Sequence, residues 1–159
     1  MQRSNALRPL SWEHHAALVT GNRIKRGLSR GASPQVMRDY LRHAWANDIE
    51  HHFAMEEAAF TTKQSWVRIG VNERDHMLGD HAEFRRLVEQ VEGATSDAAL
   101  RSALAAFADL LVLHVRFEER VLFPAIERLF SRDELEDVGS YLSREHSDAC
   151  LTWEPAFWK

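Results

Sequence analysis

The chain has 159 residues, 45% hydrophobic and 28% charged, with a net charge of −4 when its histidines are neutral. That length suits one domain, 1–159, with a sizeable core, and the mildly acidic balance gives no electrostatic footprint for nucleic acid. The lone cysteine, Cys150, excludes an internal disulfide and a cysteine-rich metal site, and it suits a reducing, cytoplasmic compartment. The N-terminal stretch MQRSNALRPLSWEHH has no apolar core of a signal peptide. RIKRGLSR (23–30) reads as a solvated basic helix face. The longest apolar run, LAAFADLLVL (104–113), contains Asp109 and is too short to span a bilayer, so no membrane is expected as a partner.

The pattern is helical almost throughout. A first helix is expected from about Ser11 to Ser29, stopping at Arg-Gly-Ala. Ser33-Pro34 opens a second, with serine at the cap and proline in the first turn, running to about Phe60. Residues 61–72 form a connection. A third helix spans about Glu73 to Glu92 and ends at Gly93. Ser96-Asp97 opens a fourth that runs toward Pro124, where the proline is expected to end or kink it. Ser131 and Glu134 form a capping box for a shorter fifth helix ending near His146. The tail LTWEPAFWK is irregular, and its Trp153, Phe157 and Trp158 suit packing back onto the body. Four long helices with mostly short connections give an all-α, up-down four-helix bundle over about 8–130, with the fifth helix and aromatic tail in 131–159.

Nine histidines are present, and histidine is the commonest metal ligand. In the fourth helix Leu104, Phe107, Leu110, Leu111, Phe117, Val121 and Leu122 form the apolar face, and His114 and Glu118 lie inside it. At 100° per residue, positions four apart differ by about 40°, so both side chains point the same way. His52 and Glu56 repeat that spacing on the second helix, beside Leu41, Trp45, Ile49 and Phe60. His81 adjoins Met77, Leu78, Phe84, Val88 and Val91 on the third. On the first, apolar spacing through Leu7, Leu10, Leu18, Gly21 and Leu28 favours His14, whereas internal repeat alignment with His81 favours His15.

A single histidine on an apolar face is ordinarily a hydrogen-bonded core residue. Two buried carboxylates are harder to place, because an unpaired one costs several kcal/mol or neutralises. A pair of metal ions accounts for all six groups together. The two halves look duplicated: HHAAL then HFAMEEAAF, and DHAEF then HVRFEERVLF. A two-fold arrangement would give each metal two histidines, with both glutamates between them. Glu13 and Asp80 can orient ligand imidazoles, while Glu57 and Glu119, rotated 100° from the ligands, read as supporting or solvated residues. His43, His51, His76 and His146 read as surface histidines. Mixed imidazole and carboxylate ligands suit iron, manganese, zinc or copper, and raw affinity favours copper or zinc over iron.

WEHHAAL, HFAMEE, GDHAEFRRL and HVRFEERVLFP together resemble the hemerythrin-like HHE cation-binding family over about residues 8–130, and the fifth helix and tail are similar to a bacterial branch of it. The resemblance implies a non-haem di-iron site and maps ligands onto His52, Glu56, His81, His114 and Glu118. The chain departs from the oxygen-carrying animal hemerythrins in two places. It has Met77 rather than histidine four before His81, and His-x3-Glu rather than His-x4-Asp in the last helix. With four histidines and two glutamates, each metal is more open, which favours binding or sensing of a small diatomic ligand or peroxide, or iron handling, over reversible oxygen carriage. A di-iron enzyme acting on peroxide or nitric oxide is the alternative, and a metal-free interaction bundle the second. The sequence names no protein partner.

Overall fold

The computed structural model describes residues 3–159, so the first two residues of the N-terminal stretch lie outside it. Among the described residues all regular structure is helical. Helix α1 is Arg8–Ser29 and begins three residues before the expected Ser11, because Pro9 fits the first helical turn. Gly31, at φ +71°, ends it in a Schellman arrangement: its N–H donates to Leu28 O (3.2 Å) and Ala32 N–H to Gly27 O (2.9 Å). Helix α2 (34–60) is interrupted by a wide π turn at Trp45–Ile49. The expected cap Ser33 instead donates its hydroxyl to Gln35 Oε1, 2.9 Å away. A short 3₁₀ turn, Gln64–Arg68, leads to helix α3, Val71–Gly93.

Helix α4 is Asp97–Leu129. Its cap Ser96 accepts a hydrogen bond from Ala99 N–H as expected. Pro124 does not end it. The chain widens into a second π turn at Glu118–Leu122 just before the proline, so the helical ladder is already re-spaced where Pro124 lacks an N–H. The extra residue also turns the face. Val121 is exposed (44%), while Leu122, Phe123 and Ile126 are buried. Leu78, placed on the α3 core face by its spacing, is exposed as well, and Leu87 is buried in its stead.

As one continuous helix α4 is long and apolar enough to cross a membrane, which the interrupted run 104–113 had not suggested. In the bundle its Leu104, Phe107 and Leu111 are buried, and α1 and α3 both pack mainly against it. Its hydropathy is accounted for as that of a core helix.

Helix α5, Arg132–Glu145, starts with the complete capping box of Ser131 and Glu134. Glu134 also accepts the Ser65 N–H at 2.9 Å, and hydrogen bonds from Ser65 and then Ser131 hold its carboxyl down at about 2. A folded pKa below the ordinary value means stability present above about 4.5 and lost as pH falls toward 2. Glu134→Gln is therefore expected to lower stability by about 1 kcal/mol at pH 7, and the wild-type and variant melting temperatures should converge near pH 2.

The aromatic tail does fold back. Trp153, Phe157 and Trp158 surround Tyr40 at ring-centroid distances of 5.6, 5.2 and 5.8 Å, and the Arg23 guanidinium lies 4.0 Å over Trp158. Phe157 comes so close to α1 that a Cβ on Gly27 would lie 2.6 Å from its ring and 2.7 Å from Met37 Sδ. Gly27→Ala is expected to cost about 1–3 kcal/mol by overpacking and to loosen the tail, readable as increased exchange of the Phe157 and Lys159 amides.

The apolar core falls into two clusters. One holds Ile24, Leu41, Phe84, Leu104 and Phe107, and the other Leu10, Phe60, Met77, Phe123 and Leu142. On α1, α3 and α4 the break between them comes at the inward histidine, and on α2 it falls between His52 and Glu56.

Candidate metal centre

A polar layer fills that break. His14, His52, His81 and His114, one per helix, are buried together with Glu56 and Glu118, both at 0% exposure. His15 is exposed. The apolar periodicity of α1 therefore identifies the inward residue correctly, and alignment by the repeat does not. His14, His52, Glu56 and Glu118 offer ligand atoms all within 4.8 Å of one another, and so do Glu56, His81, His114 and Glu118. The two groups share both glutamates, two histidines belonging to each, which is the arrangement expected from the duplicated halves.

Each imidazole is fixed by its Nδ1. His52 Nδ1 meets Glu13 Oε2 at 2.6 Å and His114 Nδ1 meets Asp80 Oδ2 at 3.0 Å, each within its own helix pair. His81 Nδ1 meets Glu57 Oε1 at 2.9 Å and His14 Nδ1 meets Glu119 Oε1 at 2.7 Å, each across to the other pair. Glu13 and Asp80 thus orient the histidine of the neighbouring helix, not the one beside them in sequence. Arginines support the crossing carboxylates: Arg85 Nη1 donates to Glu57 (3.1 Å) and Arg3 Nη2 to Glu119 (2.7 Å). Histidines support the others: His146 Nδ1 contacts Glu13 Oε1 at 2.6 Å and His76 Nε2 lies 3.3 Å from Asp80 Oδ2. The pseudo-two-fold symmetry holds for the inward residues and their Nδ1 partners; the outermost groups match in type but not in position, Arg85 and His76 coming from α3 and Arg3 and His146 from outside the four bundle helices.

His76 and His146, both expected at the surface, join this network, and His146 does so because the segment after α5 turns back over α1. His51 is exposed and reaches Glu145 O at 3.0 Å. His43 packs on Trp153 with ring centroids 5.2 Å apart, and half-exposed His76 stacks on Phe117.

With a carboxylate accepting from each Nδ1–H, every Nε2 turns inward to Glu56 or Glu118. The separations are 3.0 Å from His14 to Glu118, 3.3 Å from His52 and from His81 to Glu56, and 3.2 Å from His114 to Glu118. Nε2 of His52, His81 and His114, both Glu56 oxygens and Glu118 Oε1 are buried without a hydrogen-bond partner. In neutral rings these nitrogens present lone pairs to carboxylate lone pairs, a repulsive arrangement that only a proton or a cation relieves. The donor set of imidazole nitrogens and shared carboxylates, with a further carboxylate on the outer nitrogen of every ring, fits a pair of divalent ions.

The proton alternative is visible in the pKa values. Burial lowers that of His81, but Glu56 and Glu57 outweigh it and lift the group to about 9. Burial likewise opposes a charge on His52, and Glu56 and Glu13 raise it well above its ordinary value. Glu119 is pushed up by burial, yet hydrogen bonds from His14, Ser11 and Arg3 bring it to about 2.

A narrow cavity of about 30 Å³ reaches His14, His52 and His114 between Ala17, Thr20, Leu111 and Val115, with exposed Ser147 at its outer wall. It has room for one or two water-sized molecules.

A helical bundle with a buried, symmetric cluster of histidines and carboxylates defines a cation-binding bundle. The chain belongs to the hemerythrin HHE cation-binding domain family, whose model matches residues 7–126 and, in a second alignment, 72–154. The second match starts in the first turn of α3, where the second helix pair begins. A protein of Nostoc sp. (strain PCC 7120 / SAG 25.82 / UTEX 2576) described as a DNA nickase is 26% identical over 110 residues, 69% of this chain. Those residues make up 31% of that protein, so this chain spans less than a third of its relative's length. No solved structure matches the chain.

Proposed function

We propose that this chain holds two non-haem iron ions and through them binds a small ligand, dioxygen, nitric oxide or peroxide, in a sensing, scavenging or iron-handling role. The observation that carries this reading is the set of unpartnered Nε2 and carboxylate atoms converging from four helices. His14 and His52 would hold one ion and His81 and His114 the other, with Glu56 and Glu118 between. Bound iron would supply open coordination positions and redox chemistry. Iron is the reading taken from the family, while manganese and zinc suit the same ligands.

The chain's own residues have three tasks. The Nδ1 partners Glu13, Glu57, Asp80 and Glu119 keep each ring in the tautomer that leaves Nε2 free. The two apolar clusters exclude bulk water from both ends of the layer. The cavity wall limits what reaches His14 and His52 to molecules of diatomic or peroxide size. A cytoplasmic location accords with the single, exposed Cys150. The likeness to the Nostoc protein covers too little of it to bring DNA cleavage to this chain, and neither nucleic acid nor a membrane enters the proposal.

An enzyme that breaks down peroxide or reduces nitric oxide would use the same site. Anaerobic loading with Fe(II), followed by optical spectra on adding oxygen, nitric oxide or peroxide, separates the readings. A stable adduct without turnover supports the binder, and catalytic oxygen release from peroxide supports the enzyme. Absence of bound metal after loading would refute both and leave a metal-free bundle.

A further inference from the structure

The supporting layer has one member that its symmetry partner does not match. Asp80 is approached by His76 from its own helix, four residues earlier, and that histidine is 48% exposed. Glu13 is held by His146, from the far end of the chain, with a shorter contact of 2.6 Å and 19% exposure. Helix α5 has ended by then: His146 is its C-cap, and its N–H still donates to Leu142 O at 2.8 Å. The ring also faces Trp12, with centroids 5.8 Å apart. One Glu13 oxygen accepts from His146 and the other from His52, so the carboxylate is clamped between a chain-end residue and a metal-facing one. Ser147 and Ala149, just beyond His146, line the cavity that leads to the same half of the site.

We propose that His146 is a positioning residue for the half-site of His14 and His52: it fixes the Glu13 carboxylate that orients His52, and so couples the seating of segment 146–149 to cation affinity at that half. The proposal rests on the metal-centre reading above. A ligand imidazole whose outer partner is disordered loses affinity by about 10–100-fold, and His146 acts one contact further out, so the lower part of that range applies. By linkage the coupling runs both ways: if the seated segment tightens the cation, the cation must hold the segment down by the same factor.

The test uses the full chain and Fe(II) alone under anaerobic conditions, with binding followed by competition against a chelator. His146→Ala is expected to leave one binding step unchanged and weaken the other about tenfold, and His146→Asn, whose side-chain N–H₂ can reach Glu13 as Nδ1 does, to recover most of it. In the wild-type protein, iron is expected to slow amide exchange of residues 146–149, and in His146→Ala it should not. Two unchanged binding steps would overturn the proposal, as would equal weakening of both together with a lower melting temperature, which marks a general structural role. Should His146→Ala not fold, an iron-independent exchange rate at 146–149 in the wild type overturns it alone. Failure of the wild type to take up iron would instead refute the metal centre itself.

Discussion

Glu118→Ala is expected to reduce iron bound after anaerobic loading from about two ions per chain to less than one, the value of two following from two ligand groups of the kind found in two-metal sites. Glu118 belongs to both groups, it is wholly buried, and three of the four imidazoles have their inward nitrogen within 3.9 Å of it. In the proposed two-metal centre its removal would take away a negative charge shared by both cations as well as a ligand from each. The neighbouring Glu119→Ala makes a sharp comparison. Glu119 touches only the outer nitrogen of His14, with Ser11 and Arg3, so it should retain both ions and lose about 10–100-fold in affinity for one. Equal metal content in Glu118→Ala and wild type would show that the shared glutamates are not ligands.

Metal removal should make stability strongly pH-dependent. Without cations, Glu56 is balanced by charge on His52 and His81, and the folded pKa of His81 stands at about 9 against 6.5 for the free residue. A raised histidine pKa contributes stability that is fully present below about 6.5 and is lost as pH rises through about 9. For His81 alone this is on the order of 3 kcal/mol, and His52 shifts in the same direction. Cation ligation requires the neutral rings, so the loaded protein escapes this loss, and one site filled at 1,000 times its Kd adds about 4 kcal/mol. Chelator-treated protein should therefore melt at progressively lower temperature from pH 6.5 to 9, with the gap to loaded protein widening. A gap that narrows over that range would contradict the assignment of the histidines as ligands.

The inward residues could be read from sequence because helix periodicity and chemistry gave the same answer. His52–Glu56 and His114–Glu118 stand at helical spacing on apolar faces where an uncompensated carboxylate is unfavourable, so their burial already implied a cation. The choice of His14 over His15 followed from apolar spacing alone, since α1 is a regular helix without a wide turn. Where the backbone departs from 3.6 residues per turn, that reasoning misplaces residues: the π turn at Glu118–Leu122 exposes Val121 and lets the helix run through Pro124. The outer network was only half visible. Glu13 and Asp80 were recognisable as orienting groups, but their actual partners, His52 and His114, depend on how neighbouring helices cross. His146 lies 133 residues from Glu13, and no local pattern marks a contact made by a chain that turns back after its last helix.

The proposed sharing of Glu56 and Glu118 by two cations is best examined by Mössbauer spectroscopy of iron-57-loaded, oxidised protein. Two ferric ions held by a common pair of glutamates would couple magnetically, so the expected spectrum is a quadrupole doublet without magnetic splitting at low temperature and weak field, accounting for two irons per chain. A magnetically split spectrum of isolated ferric ions, or a single iron per chain, would contradict a two-metal centre.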